Sequence, residues 1–104
     1  MALITLEEAK GYLRVDTADE DAMIGILLNS AKRLCADVAR LSDDQWAGID
    51  SDEADPALEP LRGTMKVAIL YALGYLFEHR EEADHHDLTL TLRSLLFAIR
   101  EGVV

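Results

Sequence analysis

Glu78, His79, Glu81, Glu82, Asp84, His85, His86 and Asp87 make the one cluster of potential metal ligands in this chain. Glu78 and Glu82 share a helix face, as do His79 and Glu82. The chemistry they could serve is metal-assisted phosphate hydrolysis. A magnesium-dependent helical nucleotide pyrophosphohydrolase, however, needs several inward-facing acids that converge from two helices. Here the acids gather at the end of one helix, and the core faces of the other helices carry none. His85-His86-Asp87 offers a His-Asp pair, but no further His and Asp ligands stand on other helices. There is no His-Glu-x-x-His, no Gly-rich phosphate loop and no nucleophile–base pairing. The cluster reads as a solvated polar helix end. No catalytic residue, metal or cofactor is expected.

The one cysteine, Cys35, excludes an intrachain disulfide. It lies on the apolar side of a predicted helix and reads as a small buried hydrophobe rather than a nucleophile.

Net charge excludes another class of function. The chain carries −10, and residues 43–59 hold seven acids and no base. The rest, with 13 acids and 10 bases, carries only −3. Such a protein does not bind a phosphate backbone by charge neutralisation. No basic recognition helix is present, so sequence-specific DNA reading is not expected.

The elements that must position these residues are helical. At 104 residues, half of them hydrophobic, the chain is expected to be one domain, 1–104, with one core. Its longest apolar run, Val67 to Phe77, is too short to span a bilayer. Met1-Ala2-Leu3-Ile4 lacks a basic n-region, so a soluble protein made in the cytoplasm is expected. Thr5-Leu6-Glu7-Glu8 is a capping box that opens a helix over about 5–14. Thr17-Ala18-Asp19-Glu20 reads as a second, opening a helix to about Leu41. Ile24, Leu27, Leu28, Ala31, Leu34, Cys35, Val38 and Leu41 form its core stripe, widened by Met23 and Ile26. Asn29, Lys32, Arg33, Ala36 and Arg40 fill much of the other side.

Residues 42–57 read as a long acidic loop, with Trp46 and Ile49 its large apolar residues; Trp46 either pins the loop to the core or contacts another subunit or partner. Pro60 in the first turn favours a regular helix start near Glu59-Pro60, after an irregular turn at Pro56. That helix is expected to reach Glu82. Leu61, Met65, Ala68, Ile69, Ala72, Leu73 and Leu76 make one face. Val67, Leu70, Tyr71, Gly74 and Phe77 make much of the other. A helix apolar nearly all round must be covered all round, which points to an oligomer. A last helix over about 89–101 carries Leu88, Leu92, Leu95, Leu96 and Ile99. The expected fold is thus all-α, with four principal helices.

Three separated stretches then carry a resemblance. Leu6-x-Glu8-Ala9-Lys10-x-Tyr12-Leu13-Arg14-Val15-Asp16, with Asp19-Glu20-Asp21 and Ile24, is the first. Tyr75-Leu76-Phe77-Glu78-His79-Arg80-Glu81-Glu82-Ala83 is the second. Leu88-x-x-x-Leu92-x-x-Leu95-Leu96-x-x-x-Arg100 is the third, with Thr89 where a proline is frequent. In this order, and over nearly the whole chain, they resemble the head–tail connector (head-completion, adaptor) proteins of long-tailed bacteriophages.

The resemblance implies a structural virion protein at the head–tail junction. Copies would form a ring that joins the capsid portal to the tail and extends the DNA channel. Its partners would be the portal protein and a tail-side stopper or tail-completion protein. DNA would pass without specific binding, and no membrane is involved. Expected interface residues are Tyr12, Arg14, Trp46, Ile49, Tyr71, Gly74, Tyr75, Phe77, Arg80 and Arg100. The acidic segment would either line the lumen or dock on a basic patch; Trp46 and Ile49, as apolar anchors, favour docking. The rival readings are the metal-dependent pyrophosphohydrolase and a host helical interaction module.

Overall fold

Thr5 opens the first helix through its own side chain. In the computed structural model, which describes residues 3–51, 55–79 and 86–100 (98 and 100 by backbone alone), α1 spans Leu6–Leu13. The Glu8 N–H donates to the Thr5 hydroxyl and the Thr5 N–H to the Glu8 carboxylate, each at 3.2 Å. This is the expected capping box. The helix stops at Arg14, in the left-handed region at φ 61°. There the Arg14 N–H donates to the Gly11 carbonyl and the Val15 N–H to the Lys10 carbonyl. These paired bonds satisfy the last carbonyls, and Val15 then packs on the core.

Thr17 does not cap the second helix. α2 spans Asp21–Val38, with Glu20 in the cap position and no side-chain cap bond. The reason is tertiary: Lys10 on α1 holds Asp21 at 2.7 Å, while residues 18–21 form a turn through the Asp21 N–H and the Ala18 carbonyl. Ile24, Leu28, Ala31 and Cys35 are buried as expected. Ala36, expected on the outer side, is fully buried too. α2 ends on Arg40 at φ 59°, again with paired closing bonds, and Leu41 packs on the core.

Part of the expected loop 42–57 is helical, and residues 52–54 of it lie outside the described residues. α3 spans Asp43–Ile49 and is opened by Ser42, whose hydroxyl accepts from the Gln45 N–H at 3.1 Å. The Gln45 side chain accepts from the Ser42 N–H at 2.8 Å. A Ser-x-x-Gln box is therefore the local cause of the helix. Asp43 and Asp44 add negative charge at its positive end. Its two large apolar residues are too few to declare a period, so the sequence pattern hid it.

Asp55 caps a 3-10 turn at Pro56–Leu58, and α4 (Glu59–Glu78) follows with Pro60 in its first turn. The expected start near Glu59-Pro60 is the observed one. Met65, Ala68, Ile69, Ala72, Leu73 and Leu76 are buried. α2 and α4 form the most extensive helix pair, and α1 and α5 each pack on both. Small residues on both central faces, Ala31 and Cys35 on α2, Ala68 and Ala72 on α4, allow close approach.

The end of the expected third helix, beyond residue 79, lies outside the described residues. The last expected helix is broken in two: α5 spans His86–Leu95 and α6 Phe97–Arg100. Leu88, Leu92 and Leu96 enter the core. That i, i+4 row drifts around the helix and leaves Leu95, expected inside, 41% exposed. No strand occurs among the described residues, and the buried side chains of the longer helices, Ala36 apart, join one core.

Candidate functional site

The possible ligand cluster does not assemble in the described part of the chain. Glu78, His86 and Asp87 are exposed, while Glu81, Glu82, Asp84 and His85 lie outside the described residues. Among the described residues, no group of three or more His, Cys, Asp or Glu gathers as a metal site. The His79 ring stacks on Tyr75 with centroids 4.1 Å apart, and its Nδ1 lies 2.9 Å from the Tyr75 carbonyl. That contact requires a proton on Nδ1 and gives the Tyr75 carbonyl a second donor beside the His79 backbone N–H. Burial pushes the Cys35 thiol up to about 12, so it stays protonated.

A surface built from aromatic residues is better defined. α1 is laid against α4 by the Lys66 ammonium, which donates to Glu8 at 2.6 Å, and against α2 by the Lys10–Asp21 pair. Ala9 is buried beneath it. The two attachments set Tyr12, at the end of α1, across α4 at Gly74. A Cβ on Gly74 would stand 3.2 Å from Tyr12 Cε2, so the glycine gives the ring its seat. Tyr12, Tyr71, Gly74, Tyr75 and Glu78 line an open cleft of about 210 Å³. Negative ring faces and one carboxylate give it an electrostatic preference for cations.

Packing thus brings Tyr12, Tyr71, Gly74 and Tyr75, four of the residues named above, together around one cleft. Phe77 and Trp46 are half-buried against the subunit core. Ile49 is 2% exposed and belongs to that core, so it presents nothing to a partner. Arg14 is exposed. Arg80, and the side chain of Arg100, lie outside the described residues.

Other apolar side chains besides the expected residues are exposed as well. Val67 on α4 is 62% exposed, Leu90 on α5 47% and Phe97 on α6 58%. In a continuous helix Phe97 would follow the inward row Leu88, Leu92, Leu96 by one residue; the break between α5 and α6 leaves it exposed instead. Among the described residues, no helix is long and apolar enough to cross a membrane.

The acidic segment is less free than its composition suggests. The Asp50 carboxylate accepts from the Leu3 N–H at 2.9 Å and lies 3.8 Å from Lys32. Asp43 pairs with Arg33 at 3.3 Å, Glu59 with Arg62 at 3.0 Å, and Asp55 accepts from the Ala57 N–H. Arg62 also donates to the Ile49 carbonyl at 2.9 Å, which ties α3 to α4. Asp52 and Glu53 lie outside the described residues.

The family model described as phage gp6-like head-tail connector protein matches residues 3–101. Comparison with curated proteins and with solved structures gave no match.

Proposed function

The chain belongs to the phage gp6-like head–tail connector family and so has a structural role in the virion, and from that premise we propose that its copies close into a ring between the capsid portal and the tail. The ring extends the DNA channel and presents its far side to a tail-side stopper or tail-completion protein. Assembly takes place in the host cytoplasm, and the finished ring sits at the head–tail junction.

The observation that supports this reading best is the set of apolar side chains left in water. Val67 and Tyr71 on α4, and Leu90 and Phe97 on α5 and α6, stay 42–62% exposed. They lie on different helices, as a head-to-tail interface requires. Such an interface joins two unlike patches and closes into a ring when its rotation allows. The surface assigned to the neighbour includes Tyr12, Tyr71, Gly74 and Tyr75; Arg14, Trp46 and Phe77 are further candidate contacts whose place in the interface is part of the proposal.

The net charge of −10 suits a channel component, since DNA phosphates are repelled rather than held. The repulsion is screened over about 10 Å at ordinary salt, so passage is not blocked.

Sedimentation of the protein, alone and with portal rings, tests the reading. A discrete ring-sized species, or stoichiometric binding to the portal, is expected. A protein that stays monomeric in both conditions and ignores the portal overturns it.

A further inference from the structure

We propose that the cleft between α1 and α4 receives Arg93 of a neighbouring copy, so that Glu78 and Arg93 form the charged centre of the subunit seam. The inference rests on the ring reading above and names the contact that would hold the ring together.

The cleft prefers a cation. Tyr12, Tyr71 and Tyr75 surround it and Glu78 stands at its edge. Tyrosine ring faces attract a guanidinium, and a nearby carboxylate adds a full opposite charge. Glu78 is exposed and has no ion pair among the described residues. At about 210 Å³ the cleft admits one side chain, not a helix.

The protein has few cations to offer. Lys10, Lys32, Arg33, Arg62 and Lys66 are all engaged with acids of their own subunit. Among the described residues this leaves Arg14, Arg40 and Arg93 without an ion pair. Arg14 follows Tyr12 by two residues, so a neighbour's Arg14 would bring cleft against cleft. That pairing is isologous and yields a closed two-fold dimer rather than a ring. Arg40 follows Asp37 and precedes Asp43 and Asp44. Asp37 and Asp43 are paired with Arg33, but the exposed Asp44 would still meet Glu78 with like charge.

Arg93 has the surroundings the cleft requires. It is exposed on α5, one turn beyond Leu90, and Phe97 opens α6 just after it. Leu90 and Phe97 are 47% and 58% exposed, and no acid stands between them. The cleft has its own apolar border in Val67 and Tyr71. Arg93 in the cleft would set one apolar border against the other. The two patches lie on different elements of one chain, α4 and α5–α6, and both stay exposed in the single subunit. This is the arrangement of a heterologous contact that repeats from copy to copy.

Charge reversal tests the seam, with sedimentation of Glu78→Arg, Arg93→Glu and the double variant under conditions where the unaltered protein assembles. Both positions are exposed, so circular dichroism should show each variant folded. Each single reversal is expected to weaken assembly by about tenfold or more. The double variant should regain part of the loss: the ion pair returns with opposite polarity, but tyrosine faces do not favour a carboxylate. Assembly indifferent to both single reversals overturns the seam and leaves the ring reading standing. Failure of the unaltered protein to assemble, alone or with portal, overturns both. Loss in the singles without any rescue in the double overturns the pairing of these two residues.

Discussion

Tyr12 lies over Gly74 so closely that a Cβ on the glycine would come within 3.2 Å of Tyr12 Cε2. The contact joins the end of α1 to the exposed side of α4 and shapes the cleft. Gly74→Ala is therefore expected to separate stability from surface geometry. Alanine favours the helix by about 1 kcal/mol over glycine. Tyr12 is 49% exposed and can swing outward. Thermal unfolding should show a midpoint unchanged or slightly raised, while the ring resonances of Tyr12 shift and assembly weakens.

Both α1 and α2 stop on an arginine in the left-handed region, Arg14 at φ 61° and Arg40 at φ 59°. An L-residue is disfavoured there by about 1–2 kcal/mol, and glycine is not, although glycine loses more freedom on folding. Arg40→Gly is expected to stabilise the protein by about 0.5–1 kcal/mol. Urea unfolding gives the comparison; a clear loss of stability would mean that the Arg40 side chain contributes something the backbone geometry does not reveal.

Much of this architecture is legible in the residues themselves. Thr5 and Glu8 announce the start of α1, Pro60 that of α4, and the row from Met65 to Leu76 its buried face. What escapes depends on distant partners or on small residues. Thr17 looks like a cap, but Lys10 fixes Asp21 and the helix begins there. Ala36 is small enough to sit inside without changing the apolar pattern. Ser42 and Gln45 do signal α3, yet Trp46 and Ile49 alone cannot show a period. The connector resemblance is legible because its three stretches are spread along the chain, and the family model spans them. The cleft is not legible, since only packing brings Tyr12 onto Gly74.

Ile49 distinguishes the folded α3 from a loop with apolar anchors. It is 2% exposed and lies within the subunit core. Ile49→Ala is expected to destabilise the isolated subunit by about 2–5 kcal/mol, the usual range for emptying a buried aliphatic site. Trp46→Ala should do less, because Trp46 is only partly buried. A near-neutral Ile49→Ala in chemical denaturation would contradict the placement of α3.

Glu8 predicts a pH dependence. The hydrogen bond from Lys66, and after it the bond from the Thr5 N–H, hold its carboxyl below the usual range. A lowered folded-state value contributes stability above the unfolded value and loses it as pH falls. The contribution is thus complete above about pH 5 and fades below about pH 4. Both partners are partly exposed, so its size should stay under about 1 kcal/mol. Glu8→Gln should lower stability at neutral pH, and the two unfolding curves should converge in acid.

The way α1 is attached also governs how the molecule opens in time. Ala9 is the one fully buried residue within that helix, and its ties to α4 and α2 run through side chains that water reaches. α2 and α4, by contrast, bury rows of side chains against each other. Detaching α1 exposes little apolar surface, so it requires far less free energy than unfolding the pair beneath it. Its amide hydrogens should exchange with deuterium well before those at the centres of α2 and α4. The tyrosine that shapes the cleft therefore rides on the part of the subunit that breathes most readily.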